Sequence, residues 1–233
     1  MIDYLAWDSA FLGYKTGRIN LINQIDVYNY MEIAYNEKYK LIYLFTEPDY
    51  FVSKSLLTKF NGKLVDRKVV YLQDVSAISS DYFGETELYK ETLVSDDLLH
   101  LAYESGKHSR FKLDKSFSDD VFKGMYKIWI ENSINNNYDD KVFIIKNMER
   151  IVSMVTVKIK LDTLFIGLIA TESKFQGNGF GRQLLNRVKH TAKELDLKCI
   201  EVPTQMDNKQ ACKFYEAGGF KIKSISNIYH FWL

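Results

Sequence analysis

Three glycines alternate within five residues, Gly177, Gly179 and Gly181, in the run Phe175-Gln176-Gly177-Asn178-Gly179-Phe180-Gly181-Arg182. No other segment restricts the fold as tightly. Closely spaced glycines let a backbone turn sharply and approach a ligand. The run joins a strand-like apolar segment, 163–171, to a helical pattern over 179–195. In that pattern Leu184, Leu185, Val188, Ala192 and Leu195 recur at the helical period. The unpaired amides and the dipole at the start of such a helix form an anion site. Charge agrees with this: between Glu172 and Glu194 there are five basic residues, Lys174, Arg182, Arg187, Lys189 and Lys193, and no acid. A phosphate or pyrophosphate is the natural ligand.

The whole chain is close to neutral, with 31 Lys+Arg against 30 Asp+Glu. That balance excludes a broad polyanion-binding surface, so no nucleic-acid partner is expected. Hydrophobic residues make up 46% and charged residues 26%, values of an ordinary globular protein. Cys199 and Cys212 do not make a disulfide framework or a zinc site, and no metal is expected. The first residues lack a basic segment followed by an apolar one, and the apolar stretch 164–170 is far too short to span a bilayer. The expectation is a cytoplasmic protein without membrane insertion.

Strand-like and helix-like patterns alternate over the first part of the chain. Strands are expected over 16–22, 41–46 and 63–73, a helix over 23–38, and a short helix opened by Pro48 and running to residue 60. The polar stretch 74–85 breaks the periodicity and reads as a linker. A second part has strands over 85–89, 142–146, 151–160 and 163–171, with helices over 95–105 and 118–132. Turns at Glu149-Arg150 and Leu161-Asp162 make the last three strands an antiparallel meander. Strand 198–203, helix 208–217 and closing strands over 220–224 and 228–233 complete it.

Known phosphate motifs sort the loop. A dinucleotide fingerprint fails, because Arg182 stands where its third glycine belongs, and a P-loop fails for want of Gly-Lys followed by Ser or Thr. Gln176-Gly177-Asn178-Gly179-Phe180-Gly181 resembles instead the [Gln/Arg]-x-x-Gly-x-[Gly/Ala] coenzyme A signature of the GNAT acetyltransferases. Further on, Asn208, Ala211, Tyr215, Gly219 and Phe220 match, in order, that family's Asn-x-x-Ala-x-x-x-Tyr-x-x-x-Gly-Phe pattern. The resemblance implies an α/β (α+β) GNAT fold: a mixed, mostly antiparallel sheet flanked by helices, preceded by a smaller α/β N-terminal lobe. On this reading, residues 1–80 are the lobe contributing to the acceptor site, and residues 85–233 are the acetyl-CoA-binding catalytic domain.

The segments Trp7-Asp8-Ser9-Ala10-Phe11-Leu12-Gly13, Ser109-Arg110-Phe111, Trp129-Ile130-Glu131-Asn132 and Thr204-Gln205-Met206 are similar to those of the dTDP-fucosamine N-acetyltransferases. Those enzymes acetylate a dTDP-linked amino-deoxysugar during surface-polysaccharide synthesis. The glycine loop here is fuller than that of the enterobacterial enzyme. The resemblance implies acetyl-CoA as cosubstrate and a nucleotide-activated amino sugar as small-molecule substrate. It implies that Ile169, Ala170, Thr171, Gln176, Gly177, Asn178, Gly179, Phe180, Gly181, Arg182 and Asn208 bind the coenzyme. It places the proton donor on Tyr215 and the acid that deprotonates the amine on Asp66. Arg110 suits the diphosphate of the nucleotide sugar, because a guanidinium fits paired phosphate oxygens. His108 and His230 are further candidate bases. Two alternatives stay open: an acetyltransferase for another amine (a peptide N-terminus, an aminoglycoside or a polyamine), and a non-catalytic acetyl-CoA-sensing module. A homodimer is also left open.

Overall fold

The computed structural model describes residues 1–20, 26–78, 84–135 and 140–233. The ends of two expected elements, the strand at 21–22 and the helix at 23–25, lie outside them, as do residues 79–83 of the expected linker. The chain divides into two compact units: Met1–Val69 with Gln205–Asp207 and Ser224–Leu233, and Val70–Thr204 with Asn208–Lys223.

The first unit contains β1 (Asp3–Tyr4), α1 (Ala6–Leu12), β2 (Thr16–Asn20), α2 (Val27–Asn36), β3 (Leu41–Thr46), α3 (Lys54–Lys59) and the start of β4 (Gly62–Asp74). The second contains the rest of β4, β5 (Glu87–Leu88), α4 (Asp96–Gly106), α5 (Arg110–Leu113), α6 (Asp119–Asn135), β6 (Asp140–Asn147), β7 (Arg150–Lys160) and β8 (Thr163–Thr171). It continues through α7 (Phe180–Glu194), β9 (Cys199–Gln205), α8 (Lys209–Ala217) and the start of β10 (Lys221–Trp232). The mixed, mostly antiparallel sheet flanked by helices is as expected.

In the first unit β2 and β3 run parallel, while β1 pairs with β2, and β10 with β3, antiparallel. The two closing strands expected at the C-terminus are one strand. Its last part lies along β3, from Asn227↔Thr46 to Trp232↔Leu41. Ile228, Tyr229, His230 and Phe231 are all buried there, and Phe231 joins Ile19, Met31, Ile42, Leu44 and Phe60 in one core cluster. Helix α2 buries Val27, Met31 and Ala34 and is capped by Asp26, whose carboxylate accepts the Asn29 N–H. Helix α3 starts at Lys54, not at Pro48: Ser53 Oγ accepts the Leu56 N–H at 3.3 Å and caps it there.

In the second unit the order β9-β8-β7-β6-β5 contains the expected meander. Its two turns place Met148 and Leu161 at φ of 55° and 56°. Strand β7 is buried from Ile151 to Val157, so both of its faces are covered. Helix α6 begins after Ser118, whose hydroxyl accepts the Val121 N–H, and buries Phe122, Met125, Tyr126 and Ile130. Helix α4 buries Leu98, Leu101, Ala102 and Gly106.

Gly106 lets α4 close on α6. A Cβ there would overlap the ring of Tyr126, which is only 5% exposed. Helix propensity favours alanine by about 1 kcal/mol, but overpacking of this severity costs more. Gly106→Ala is expected to lower stability by about 1–3 kcal/mol, read as a lower midpoint in urea with an unchanged m-value. A stabilised variant would contradict the packing argument.

Candidate active site

The site is built from a fault in the β7–β8 ladder. Val155 lies opposite Ile169 and Val157 opposite Ile166, so Gly167 and Leu168 together face Thr156. This is a β-bulge, which bends the strand that carries it. Thr156 Oγ1 accepts the Leu168 N–H at 2.8 Å. A Cβ on Gly167 would stand 2.7 Å from the same oxygen, so only glycine fits. On its other edge β8 pairs with β9 at Thr163↔Cys199, Leu164↔Ile200 and Phe165↔Glu201. That parallel pairing ends at Phe165, immediately before the bulge.

Past the bulge, β8 holds its β7 edge by the Glu172 N–H to Val152 O bond at 2.9 Å and by Ser153 Oγ donating to Ala170 O at 3.0 Å. The backbone groups of Ala170 therefore face β7. Strand alternation turns those of Ile169 and Thr171 to the opposite edge. There Gln176 Nε2 donates to Thr171 O at 3.2 Å, tying the start of the glycine loop to the strand.

Gly177 and Gly179 have φ of 84° and 80°, and a Cβ on either would meet nothing. Backbone conformation, not space, requires glycine at both. Asn178 turns its side chain back to donate to Phe175 O at 3.0 Å. Helix α7 begins at Phe180 with Gly179 as N-cap and no side-chain cap, and Gln183 N–H bonds back to Gly179 O at 3.0 Å. The amides of Phe180, Gly181 and Arg182 precede that first intrahelical bond, as an anion site requires.

Helix α8 starts at Asn208, whose Oδ1 accepts the Ala211 N–H at 3.1 Å. Two turns on, Tyr215 is 3% exposed and packs against the rings of Tyr71, Phe214 and Phe220 at centroid distances of 5.7, 5.3 and 5.8 Å. Burial, with the Cys212 thiol nearby, pushes its phenol well above the ordinary value.

These parts meet in one cavity of about 480 Å³. Ile169, Ala170 and Thr171 line one side, and Gln176, Gly177 and Gly179 to Arg182 line the loop end. Asn208 and Tyr215 face it from α8. Another part of the lining wall was not legible as part of a site: Glu104, Ser105, Lys107 and His108, at the end of α4. Only His108 stood out in the sequence. Glu104 Oε2 accepts from Ser173 Oγ at 3.2 Å, so this wall is tied to the glycine loop, and Lys107 Nζ lies 3.5 Å from the same oxygen.

Of the remaining sequence candidates, Arg110 belongs to the second unit and Asp66 and His230 to the first. Arg110 opens α5 with its guanidinium 4.7 Å from the Phe111 ring centroid, and is not among the cavity's lining residues. Asp66 belongs to the first unit, on β4, 9% exposed. His230 also belongs to that unit and is fully buried, with its ring 4.8 Å from that of Tyr43. Among the described residues no cluster of His, Cys, Asp or Glu suits a metal ion, and no helix is long and apolar enough to cross a membrane.

Comparison with known proteins decides what kind of site this is. Residues 109–220 match the model of the acetyltransferase (GNAT) family. Over residues 109–220, just under half of the chain, the sequence is that of a GNAT acetyltransferase domain. The matched residues include the bulge, the glycine loop and Tyr215, whereas the Glu104–His108 wall precedes them. A spore coat polysaccharide biosynthesis protein of Bacillus subtilis, SpsD, is 22% identical over 138 residues, 59% of this chain. The match spans 47% of SpsD, about half its length. Among solved structures, a conserved protein of unknown function from Staphylococcus epidermidis has a TM-score of 0.64 at 15% identity, covering 99% of this chain and 90% of its own. A GCN5-related N-acetyltransferase from Sphaerobacter thermophilus has a TM-score of 0.59 at 10% identity, covering 98% and 75%. At these identities the likeness is one of fold.

The state of Tyr215 gives the GNAT domain a measurable pH dependence. Its folded pKa is raised, so its contribution to stability is fully present below the unfolded value near about 10. The contribution is lost as pH rises toward the folded value. Over that range unfolding releases a proton that the fold retains, and stability falls by about 1.4 kcal/mol per pH unit from this group. Tyr215→Phe is expected to flatten the fall in denaturation midpoint between pH 10 and 11 relative to wild type. Parallel profiles for the two proteins would contradict the burial argument.

Proposed function

We propose that this GNAT domain is an acetyl-CoA-dependent N-acetyltransferase that acts on the amino group of a dTDP-linked amino-deoxysugar, by direct transfer in a ternary complex. One observation carries the coenzyme part: the uncapped start of α7, the outward-turned backbone of β8 and Tyr215 line a single cavity. Support for the sugar comes from the flanking segments at Trp7–Gly13 and Ser109–Phe111, and from the polysaccharide name carried by the distant SpsD.

In this reading the amides of Phe180, Gly181 and Arg182 hold the coenzyme's pyrophosphate. The Ile169 and Thr171 backbone pairs with its pantetheine amides as an added strand does. Their N–H groups also face the side on which a carbonyl oxygen gains charge. Asn208 keeps its Nδ2 for the same chain, since its Oδ1 caps α8. Asp66 takes the proton of the acceptor ammonium through water, Arg110 reads the diphosphate, and Tyr215 donates to the departing thiolate. The bond formed is amine nitrogen to acetyl carbon, and the bond broken is the thioester C–S bond. Neither cysteine carries the acetyl group.

The test is thiol release from acetyl-CoA with a panel of dTDP-amino sugars, peptides, aminoglycosides and polyamines. The dTDP-amino sugars are expected to give the highest kcat/KM. A peptide, aminoglycoside or polyamine that outruns them overturns the sugar assignment, and no release with any amine overturns the enzyme reading. Tyr215→Phe is expected to lower kcat by about 10²-fold with little change in acetyl-CoA affinity; an unchanged kcat removes Tyr215 from the donor role. The Cys199→Ser, Cys212→Ser double variant is expected to stay active.

A further inference from the structure

Helix α8 has nine residues, too short to hold itself in place. Asn208 fixes its start, and three contacts fix its end. Lys189 Nζ donates to Gly218 O at 2.6 Å. Gly219, at φ 87°, passes so close to Gln73 that a Cβ would lie 3.1 Å from its Nε2. The third contact determines the helix's rotation: the Tyr71 hydroxyl donates to Glu216 Oε1 at 2.7 Å.

Tyr71 is 1% exposed, so its ring is fixed by the packing around it. The Cys212 thiol, one helical turn before Glu216 and on the same face, lies beside the Tyr71 hydroxyl and helps to raise its phenol. Tyr71 therefore grips the 212/216 face of α8. Tyr215 stands next to Glu216, about 100° round the helix, and meets the cavity there. A rotation of α8 that loosened the Tyr71 bond would swing Tyr215 with it.

We infer that Tyr71 is a positioning residue for Tyr215: its hydrogen bond to Glu216 sets the rotation of α8 that presents the Tyr215 hydroxyl to the thioester. The inference rests on the donor role proposed for Tyr215. Tyr71 touches no reacting atom. Its ring also packs against that of Tyr215 at 5.7 Å, a contact that Tyr71→Phe keeps, so the variant isolates the bond to the helix.

Acetyl-CoA hydrolysis without acceptor is the probe, since it releases the same thiolate and needs no assigned amine. Tyr71→Phe keeps the ring and removes the bond. It is expected to lower the hydrolytic kcat about tenfold, with acetyl-CoA affinity by calorimetry unchanged. Glu216→Ala is expected to do the same, whereas Glu216→Gln, which keeps an acceptor oxygen, is expected to stay within about twofold of wild type. In a Tyr215→Phe background, Tyr71→Phe is expected to cost nothing further. A wild-type kcat for Tyr71→Phe, or the same loss with and without Tyr215, overturns the positioning role. A Tyr215→Phe variant at wild-type kcat overturns the donor role and this inference with it. Tyr215→Phe impaired while Tyr71→Phe is not overturns this inference alone.

Discussion

The hydrogen bond from Leu168 N–H to Thr156 Oγ1 holds the bulge in β8, and the cavity exists because of that bulge. A regular β8 would continue to pair with β9 past Phe165, and the backbone of Ile169 and Thr171 would be used up in the sheet. The extra residue at Gly167 bends the strand, ends the parallel pairing, and leaves one edge of a well-anchored strand without a strand partner past Phe165. The neighbouring β7 is buried on both faces, so the distortion is confined to the cavity side. Threonine and glycine are both needed: the hydroxyl satisfies an amide the bulge would orphan, and the missing Cβ makes room for that hydroxyl.

In the proposed reading, anion recognition costs the fold little. The net charge of +1 gives no long-range field for an anionic ligand. What attracts one is local: two left-handed glycines, an uncapped helix start and a stretch without acids. Glu104 is the one carboxylate among the described lining residues, and it is engaged by Ser173 and Lys107. Held this way, Glu104 leaves no uncompensated charge in the cavity. The Ser173 bond also ties α4 to the turn that leads into the glycine loop.

The sequence shows the parts of this site better than their assembly. The loop, α7 and α8 were legible because glycine spacing, helical periodicity and an Asn cap are local signals. The meander was legible from its turns. Helix α1 was not read as a helix, since its N-cap, Leu5, makes no side-chain bond. Its Trp7 and Phe11 stack at 5.3 Å, a consequence of i, i+4 spacing. The wall at Glu104–His108 had no local signature, because it becomes a wall only through the packing of Gly106 on Tyr126. Tyr71 read simply as an apolar strand residue, and its hydrogen bond spans 145 positions of sequence. The place of β10 beside β3 is likewise a long-range pairing that alternation along the strand does not encode.

The raised phenol of Tyr215 constrains how it can help the reaction. A coenzyme thiol has an ordinary pKa near about 8.5, and burial has moved the phenol further above that value, not toward it. Full proton transfer to the thiolate is therefore uphill in the empty site. A hydrogen bond to the charge growing on sulfur is not, and a dry aromatic surround strengthens it. Such a bond depends steeply on direction, whereas a proton passed through water would not. In the proposed reading, the stabilisation from Tyr215 then depends less on its acidity than on where its hydroxyl points, and the rotational setting of α8 becomes part of the chemistry.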